Sequence, residues 1–415
     1  MDATRVLWIF VVLKLVYFVF ERFLARKNRS YYLDEAKQRE AKSSLSISDE
    51  NMEKTLSYSE DKYKFANIVT AIKFVVFVFF LTKGGFGWIE DISKSYFSTP
   101  VTIGLGFFLI LGGLSFAFNL PFDYLKTFHL EDKHGFNKST VATFIKDRLK
   151  GIVIGGLLGG LLLSGILWIM ESLTYWWLWA WVLMTSFSLL TMFIYPTVLA
   201  PLFNKFSDVP EGELKEQIDV LANKVGFNHS GISIMNASMR SSHGNAYFTG
   251  VFGKKKIVLF DTLVEALSPK QVVAVLAHEL GHFKLNHVRW SFIRSIFTTG
   301  LMFYLLSLCL PYESFYSAFF FDGISNYGAL VVFSMWFGLA DILLQPFESF
   351  LSRKNEFAAD KFAKENYESG AKYLKEGLLK LRETSNAMPI SHPWFSSYYY
   401  SHPPMIERLK AIDSL

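Results

Sequence analysis

Cysteine is almost missing from this chain of 415 residues, with Cys309 alone present. A single thiol excludes a disulfide framework and a cysteine-rich metal site. Charge is scarce too: 19% of residues are Asp, Glu, Lys or Arg, against about 25% in an ordinary soluble domain. Neither an internal repeat nor a low-complexity tract is present, so a repeat architecture is set aside. The net charge is only +5, and the basic residues gather beside apolar segments. They read as membrane-topology signals rather than a nucleic-acid surface, and no nucleic-acid partner is expected.

What the chain has in excess is apolar: 51% hydrophobic residues, 17% aromatic residues and a mean hydropathy of +0.25. Seven stretches approach the roughly 20 apolar residues of a spanning helix, at about 4–23, 65–82, 100–122, 150–171, 175–203, 291–311 and 327–349. The first contains Lys14 and is followed by Glu21-Arg22 and Arg26-Lys27 rather than a small-residue cleavage site, so it is expected to be retained. Lys and Arg are dense between the first two spans and between the third and fourth. The opposite loops hold only Lys83 and Lys94 in 83–99 and none in 172–174 or 312–326. The positive-inside rule puts the N-terminus outside and the polar regions 204–290 and 350–415 in the cytosol.

The chemistry concentrates in those two polar regions. His278-Glu279-Leu280-Gly281-His282 places two histidines one helical turn apart on one face, so both imidazoles can reach one metal ion. Glu279 is then beside the metal without ligating it, placed to take a proton from a water that the metal activates. A catalytic zinc site keeps three protein ligands and one open position. Glu356, in Asn355-Glu356-Phe357-Ala358-Ala359-Asp360, is the best third ligand. Asp360, one turn further on, can accept a hydrogen bond from the far nitrogen of a ligating histidine. His287 lies five residues beyond His282, roughly 140° round a continuous helix, and reads as structural rather than as a fourth ligand.

Ser401-His402-Pro403-Pro404 followed by Arg408 supplies a donor for a developing oxyanion and a guanidinium suited to a substrate carboxylate. The alternative is that both residues pin the C-terminal helix. His392, in a similar Ser-His-Pro setting, is the weaker candidate. Asn245-Ala246-Tyr247-Phe248-Thr249-Gly250 alternates in character and suits an edge strand that pairs with an extended peptide, or a plain structural strand. Around these motifs, helices are expected over 213–225 and 352–367 and from 373 to 383. Short strands are expected at 231–235, 246–250 and 256–260, with a helix opening at Ser268-Pro269. Residues 24–64 read as an amphipathic or partly mobile connection, and 204–210 as a loop.

Taken in order along the chain, these motifs resemble those of the type I CAAX prenyl proteases. The match includes His278-Glu-Leu-Gly-His282, Ser352-Arg353-x-x-Glu356-x-x-Ala-Asp360, Ser401-His-Pro-Pro404-x-x-x-Arg408, Asn245-Ala-Tyr-Phe and Glu131-Asp-Lys-His-Gly-Phe-Asn137. The resemblance implies a mainly α, seven-helix integral membrane protein around a large chamber, carrying a cytosol-side HExxH metallopeptidase domain with a small β-sheet. It implies one zinc ion per chain on His278, His282 and Glu356, with Glu279 as base, Asp360 behind the ligands, and His402 and Arg408 near the substrate. The implied reaction is removal of the C-terminal tripeptide from prenylated or related membrane-associated peptides.

Two other readings stand beside it. One is a stress-response membrane metalloprotease that degrades damaged membrane proteins without a prenyl requirement. The other is a non-enzymatic scaffold or transporter with a structural zinc, against which the intact Glu279 argues, because a structural site needs no base. The expected layout is transmembrane helices 1–5 in 1–203, a first peptidase part in 204–290, helices 6–7 in 291–349 and a second peptidase part in 350–415. The membrane is that of the endoplasmic reticulum or a bacterial inner membrane.

Overall fold

The computed structural model describes residues 2–249 and 255–414. Gly250, at the end of the expected second strand, lies outside them. Helix α1 (Ala3–Tyr32) continues past its apolar stretch, turns through α2 (Glu35–Leu45) and returns in α3 (Asp49–Thr82). The connection at 24–64, expected to be amphipathic or partly mobile, is therefore helical apart from two short turns. Asp34 starts α2 by accepting from the amides of Ala36 and Lys37 at 2.9 and 3.1 Å, a standard N-cap. Glu60 ties the hairpin together, accepting from Arg29 Nη2 at 2.7 Å and from the Tyr32 hydroxyl at 2.9 Å.

The membrane half continues through α4 (Gly85–Tyr96), α5 (Pro100–Leu125), α6 (Val141–Ser172), α7 (Trp176–Ile194) and α8 (Ala200–Phe203). Among the described residues, seven helices are long and apolar enough to cross a membrane. Apolar side chains such as Leu109, Leu157, Leu161 and Leu343 are left exposed on them, as lipid-facing residues must be.

The peptidase half begins with β1 (Phe206–Asp208), α9 (Glu213–Lys224), β2 (His229–Met235), β3 (Ala246–Thr249), β4 (Lys255–Phe260) and α10 (Asp261–Ala266). Strand order is β1-β2-β4-β3, with β2 and β4 parallel and both outer pairs antiparallel. Strand β1 falls in the expected loop at 204–210; three residues carry too little alternation to reveal a strand. The run expected at 256–260 is β4, inside the sheet, and Ile257, Val258 and Leu259 are all buried, as an interior strand requires.

The HExxH helix α11 (Pro269–Lys284) opens where Ser268-Pro269 predicts, with the Ser268 amide donating to Gln271 Oε1 at 3.0 Å. After α12 (His287–Cys309) and α13 (Glu313–Ser317) comes α14, a single helix of 41 residues, Asn326–Asn366. The expected break between a span ending at 349 and a helix starting near 352 is not there. Strong helix formers follow Pro346 (Glu348, Arg353, Lys354, Glu356, Ala358, Ala359) and nothing stops the helix. At about 1.5 Å per residue, α14 is long enough to span the apolar layer and then project Glu356 beyond it. Helices α15 (Gly370–Ser385), α16 (Pro393–Tyr399) and α17 (Met405–Ser414) complete the chain.

One core joins residues of α9, the sheet, α11, α15 and α17, including Ile218, Ile257, Leu276, Leu374 and Ile412. The two polar regions thus fold as one body although the last two spans separate them. A second core belongs to the membrane helices.

Candidate active site

Helices α11 and α14 lie side by side because Gly281 has no side chain. A Cβ there would stand 3.0 Å from the Ala359 Cα and 3.1 Å from the Phe362 Cβ. Gly281 therefore serves helix contact, and that contact sets the HExxH face against Glu356. The His278 and His282 Nε2 atoms are 3.2 Å apart. Glu356 Oε1 is 3.1 Å from His282 Nε2, and its Oε2 is 3.5 Å from His278 Nε2. One ligand atom from each of His278, His282 and Glu356 fits within 4.8 Å of the others.

The far nitrogens are equally committed. His278 Nδ1 donates to Asp360 Oδ1 at 2.8 Å, as the turn from Glu356 to Asp360 predicts. His282 Nδ1 is 3.0 Å from His287 Nδ1. This second contact escaped the sequence. The 140° offset assumes an unbroken helix, but Asn286, at φ 58°, breaks it between α11 and α12 and turns His287 back. An asparagine next to a histidine motif is the only sequence signal that pointed to the break. With Nε2 given to a metal, His282 would carry its proton on Nδ1, directed at His287.

Burial alone would keep the His278 imidazole neutral, but hydrogen bonds to Asp360 and Glu356 outweigh it and raise its pKa to about 9. The cluster therefore holds a field that favours positive charge. Two inward imidazole nitrogens and one buried carboxylate form the donor set of a catalytic divalent metal, zinc above all. Glu279, half-buried on the same helix, has no hydrogen-bonding partner among the described residues, and burial pushes its carboxyl above the usual range.

His402 is exposed to a cavity and places Nδ1 2.7 Å from Glu356 Oε2. Arg408 is used differently from a substrate clamp. Its Nε and Nη2 donate to Asp360 at 3.0 and 2.6 Å, and its Nη1 faces Glu356 Oε2 at 3.6 Å. Arg408 is 7% exposed, which favours the alternative that it pins α17. His392 stands apart from the cluster: it starts α16, accepting from the Trp394 amide at 3.2 Å. Strand β3 is an edge strand, but Ala246 and Phe248 face the core and Tyr247 packs on the opposite side beside Phe260. What β3 offers a peptide is its free main-chain edge. Asn245 is spent locally, its Oδ1 accepting from the Ala246 amide at 2.8 Å.

The Glu131–Asn137 segment docks the membrane half onto the chain leading into β3. Tyr58 donates to Glu131 at 3.0 Å, Asn137 pairs with Ser241, and Arg240 grips Asp147 with two bonds of 2.7 and 3.1 Å.

Comparison with known proteins decides the family. Residues 32–205 match the CAAX prenyl protease N-terminal domain of five membrane helices, and residues 208–415 match peptidase family M48. The chain belongs to peptidase family M48. It is 37% identical to the rice CAAX prenyl protease 1 homolog, over 88% of each chain, and 32% identical to the human homolog over 96% of this chain and 93% of that one. The crystal structure of S. mikatae Ste24p superposes with a TM-score of 0.90 at 32% identity, covering 98% of this chain and 99% of that one. The protein is therefore a membrane-embedded metallopeptidase acting on a peptide or protein substrate, and the scaffold and quality-control readings are not favoured.

One prediction arises from the contact that the sequence missed. His287→Ala is expected to weaken metal binding about 10–100-fold, the usual cost of losing an orienting partner, without unfolding the chain. Metal titration of the purified variant measures it, and unchanged affinity would remove His287 from the site.

Proposed function

We propose that the chain is a zinc metalloendopeptidase that removes the C-terminal tripeptide from prenylated proteins. The observation carrying this reading is the meeting of the His278 and His282 Nε2 atoms with Glu356, beside an unpartnered Glu279, in a protein whose relatives are named CAAX prenyl proteases. His278, His282 and Glu356 hold the zinc. A bound zinc supplies Lewis-acid polarisation and lowers the pKa of its water toward ~7.

The protein's own groups do the rest. Glu279 accepts the proton of the attacking water and returns it to the leaving amine. His402, at the cavity wall, donates a hydrogen bond to the carbonyl oxygen as it gains charge. Asp360 and His287 hold the two imidazoles in the ligating tautomer. The free edge of β3 aligns the substrate main chain by strand addition. Loop charges support an N-terminus outside and a cytosolic peptidase half, and the plant, yeast and human relatives favour the endoplasmic reticulum.

The test is cleavage of a farnesylated peptide ending in a CAAX sequence, with mass spectrometry locating the cut. Release of the last three residues, abolished by chelator and restored by zinc, is expected, with the unlipidated twin cleaved far more slowly. Equal cleavage of both peptides would refute the prenyl requirement.

The pH profile follows from Glu279. A base works only when ionised, and burial raises this carboxyl above its ordinary value of 4.5. Activity is thus present above the raised pKa and lost as pH falls through it. The acidic limb of kcat/KM should lie clearly above the range of an exposed glutamate, and a limb at or below pH 4.5 would contradict the assignment.

A further inference from the structure

One buried arginine has no acceptor. Arg382 lies in the last turn of α15 and is 4% exposed. Three other arginines of this half are matched: Arg408 by Asp360, Arg240 by Asp147, and Arg353 by main-chain carbonyls including that of Ser396 at 2.8 Å. The Arg382 guanidinium finds no hydrogen-bond acceptor among the described residues, and its Nη1 is fully enclosed. Its neighbour Glu383 attracts it without a hydrogen bond, being held by Asn51 at 2.8 Å and Lys380 at 2.9 Å. A guanidinium stays charged in proteins, so a buried one without a hydrogen-bonded counter-charge carries a desolvation cost that is only partly offset.

Its position says what could offset that cost. Arg382 lines a cavity of about 770 Å³ whose wall also contains Arg408 and His402, and His402 in turn reaches Glu356 at 2.7 Å. Arg22, Lys62 and His243 line the same space, with Glu21 as its one carboxylate. Such a cavity selects an anion, and its volume lies in the range of small-ligand sites. The substrate carboxylate that sequence reasoning assigned to Arg408 needs a guanidinium with free donors, which Arg408 lacks and Arg382 has.

We propose that Arg382 binds the free C-terminal carboxylate of the peptide substrate, through the two-pronged contact that a guanidinium makes with a carboxylate. Resting on the tripeptide-removal reading above, this deepens it. A cation at a fixed place in the cavity registers the chain end and so sets which peptide bond reaches Glu279. Arg382 is a specificity-determining residue in this scheme, not part of the proton transfer.

Full-length Glu279→Gln protein in detergent provides a binding test that does not need turnover. A farnesylated CAAX peptide with a free C-terminal acid should bind about ten-fold more tightly than the same peptide as its C-terminal amide, the worth of one charge-assisted contact. Adding Arg382→Gln should bring the acid to the level of the amide, and Arg382→Lys should keep most of the preference. Equal binding of acid and amide to the Arg382-intact protein overturns the proposal. So does binding of neither peptide, or an Arg382→Gln variant that weakens both alike, the mark of a residue that only stabilises the end of α15. Cleavage by the wild-type protein separates the two ideas. An acid preference in binding without release of a tripeptide would leave the carboxylate site standing and refute the proposed function.

Discussion

Glu279→Gln is expected to abolish peptide cleavage while leaving the metal in place. The side chain is half-buried on α11 next to His278, has no partner among the described residues, and is not one of the three groups that converge on the metal position. Glutamine matches its size but cannot accept a proton. Losing a general base costs typically 10²–10⁴ in rate, and under the proposed mechanism the same group both activates the water and protonates the leaving amine, so the upper end is expected. Metal content by elemental analysis should equal that of the wild type, and peptide binding should persist. A variant that cleaved at the wild-type rate would remove Glu279 from the mechanism. One that lost its metal would mean that Glu279 is a ligand.

Arg408→Met is expected to be the most destabilising substitution in the site. Asp360 is 0% exposed and Arg408 7%, and their two hydrogen bonds are the pair's main compensation for leaving water. Removing one partner of a buried pair costs about 3–5 kcal/mol, because the carboxylate that remains is unsolvated and keeps only its contact with the His278 ring. The orphaned Asp360 still accepts from His278 Nδ1, so metal affinity should fall along with stability. Denaturant unfolding in detergent measures the first effect and metal titration the second. The double variant Asp360→Asn/Arg408→Met removes the stranded charge and should recover much of the lost stability. A substrate-carboxylate role predicts the opposite pattern: a raised KM with unchanged stability.

The comparison between what the sequence implied and what the fold contains divides along a physical line. Features written in short, continuous periods were legible. The apolar lengths of the seven spans, the i,i+4 histidines and the turn from Glu356 to Asp360 all follow from one helix's geometry. Features that depend on where a helix ends, or on which of two acceptors wins a cation, were not. His287 was placed on the wrong side because Asn286 breaks the helix before it. Arg408 looked free because Asp360, 48 residues away in the chain, is its partner only after folding. The helix break expected near 350 is absent because nothing in 347–366 stops a helix, so the last span and the Glu356 helix are one rod.

By itself, then, the sequence determined the seven apolar spans and picked out the three side chains that converge and the neighbouring Glu279, since each was read from composition or from spacing within its own helix. Only the tertiary structure decided how those groups are held. Gly281 lets α11 approach α14, Asp360 and His287 orient the imidazoles, Arg408 is spent on Asp360, and Arg382 is left unmatched in the shared cavity. The reason is that pairing among buried polar groups is a competition settled by proximity in three dimensions, where groups distant in the chain meet and each donor satisfied at one place is lost to another.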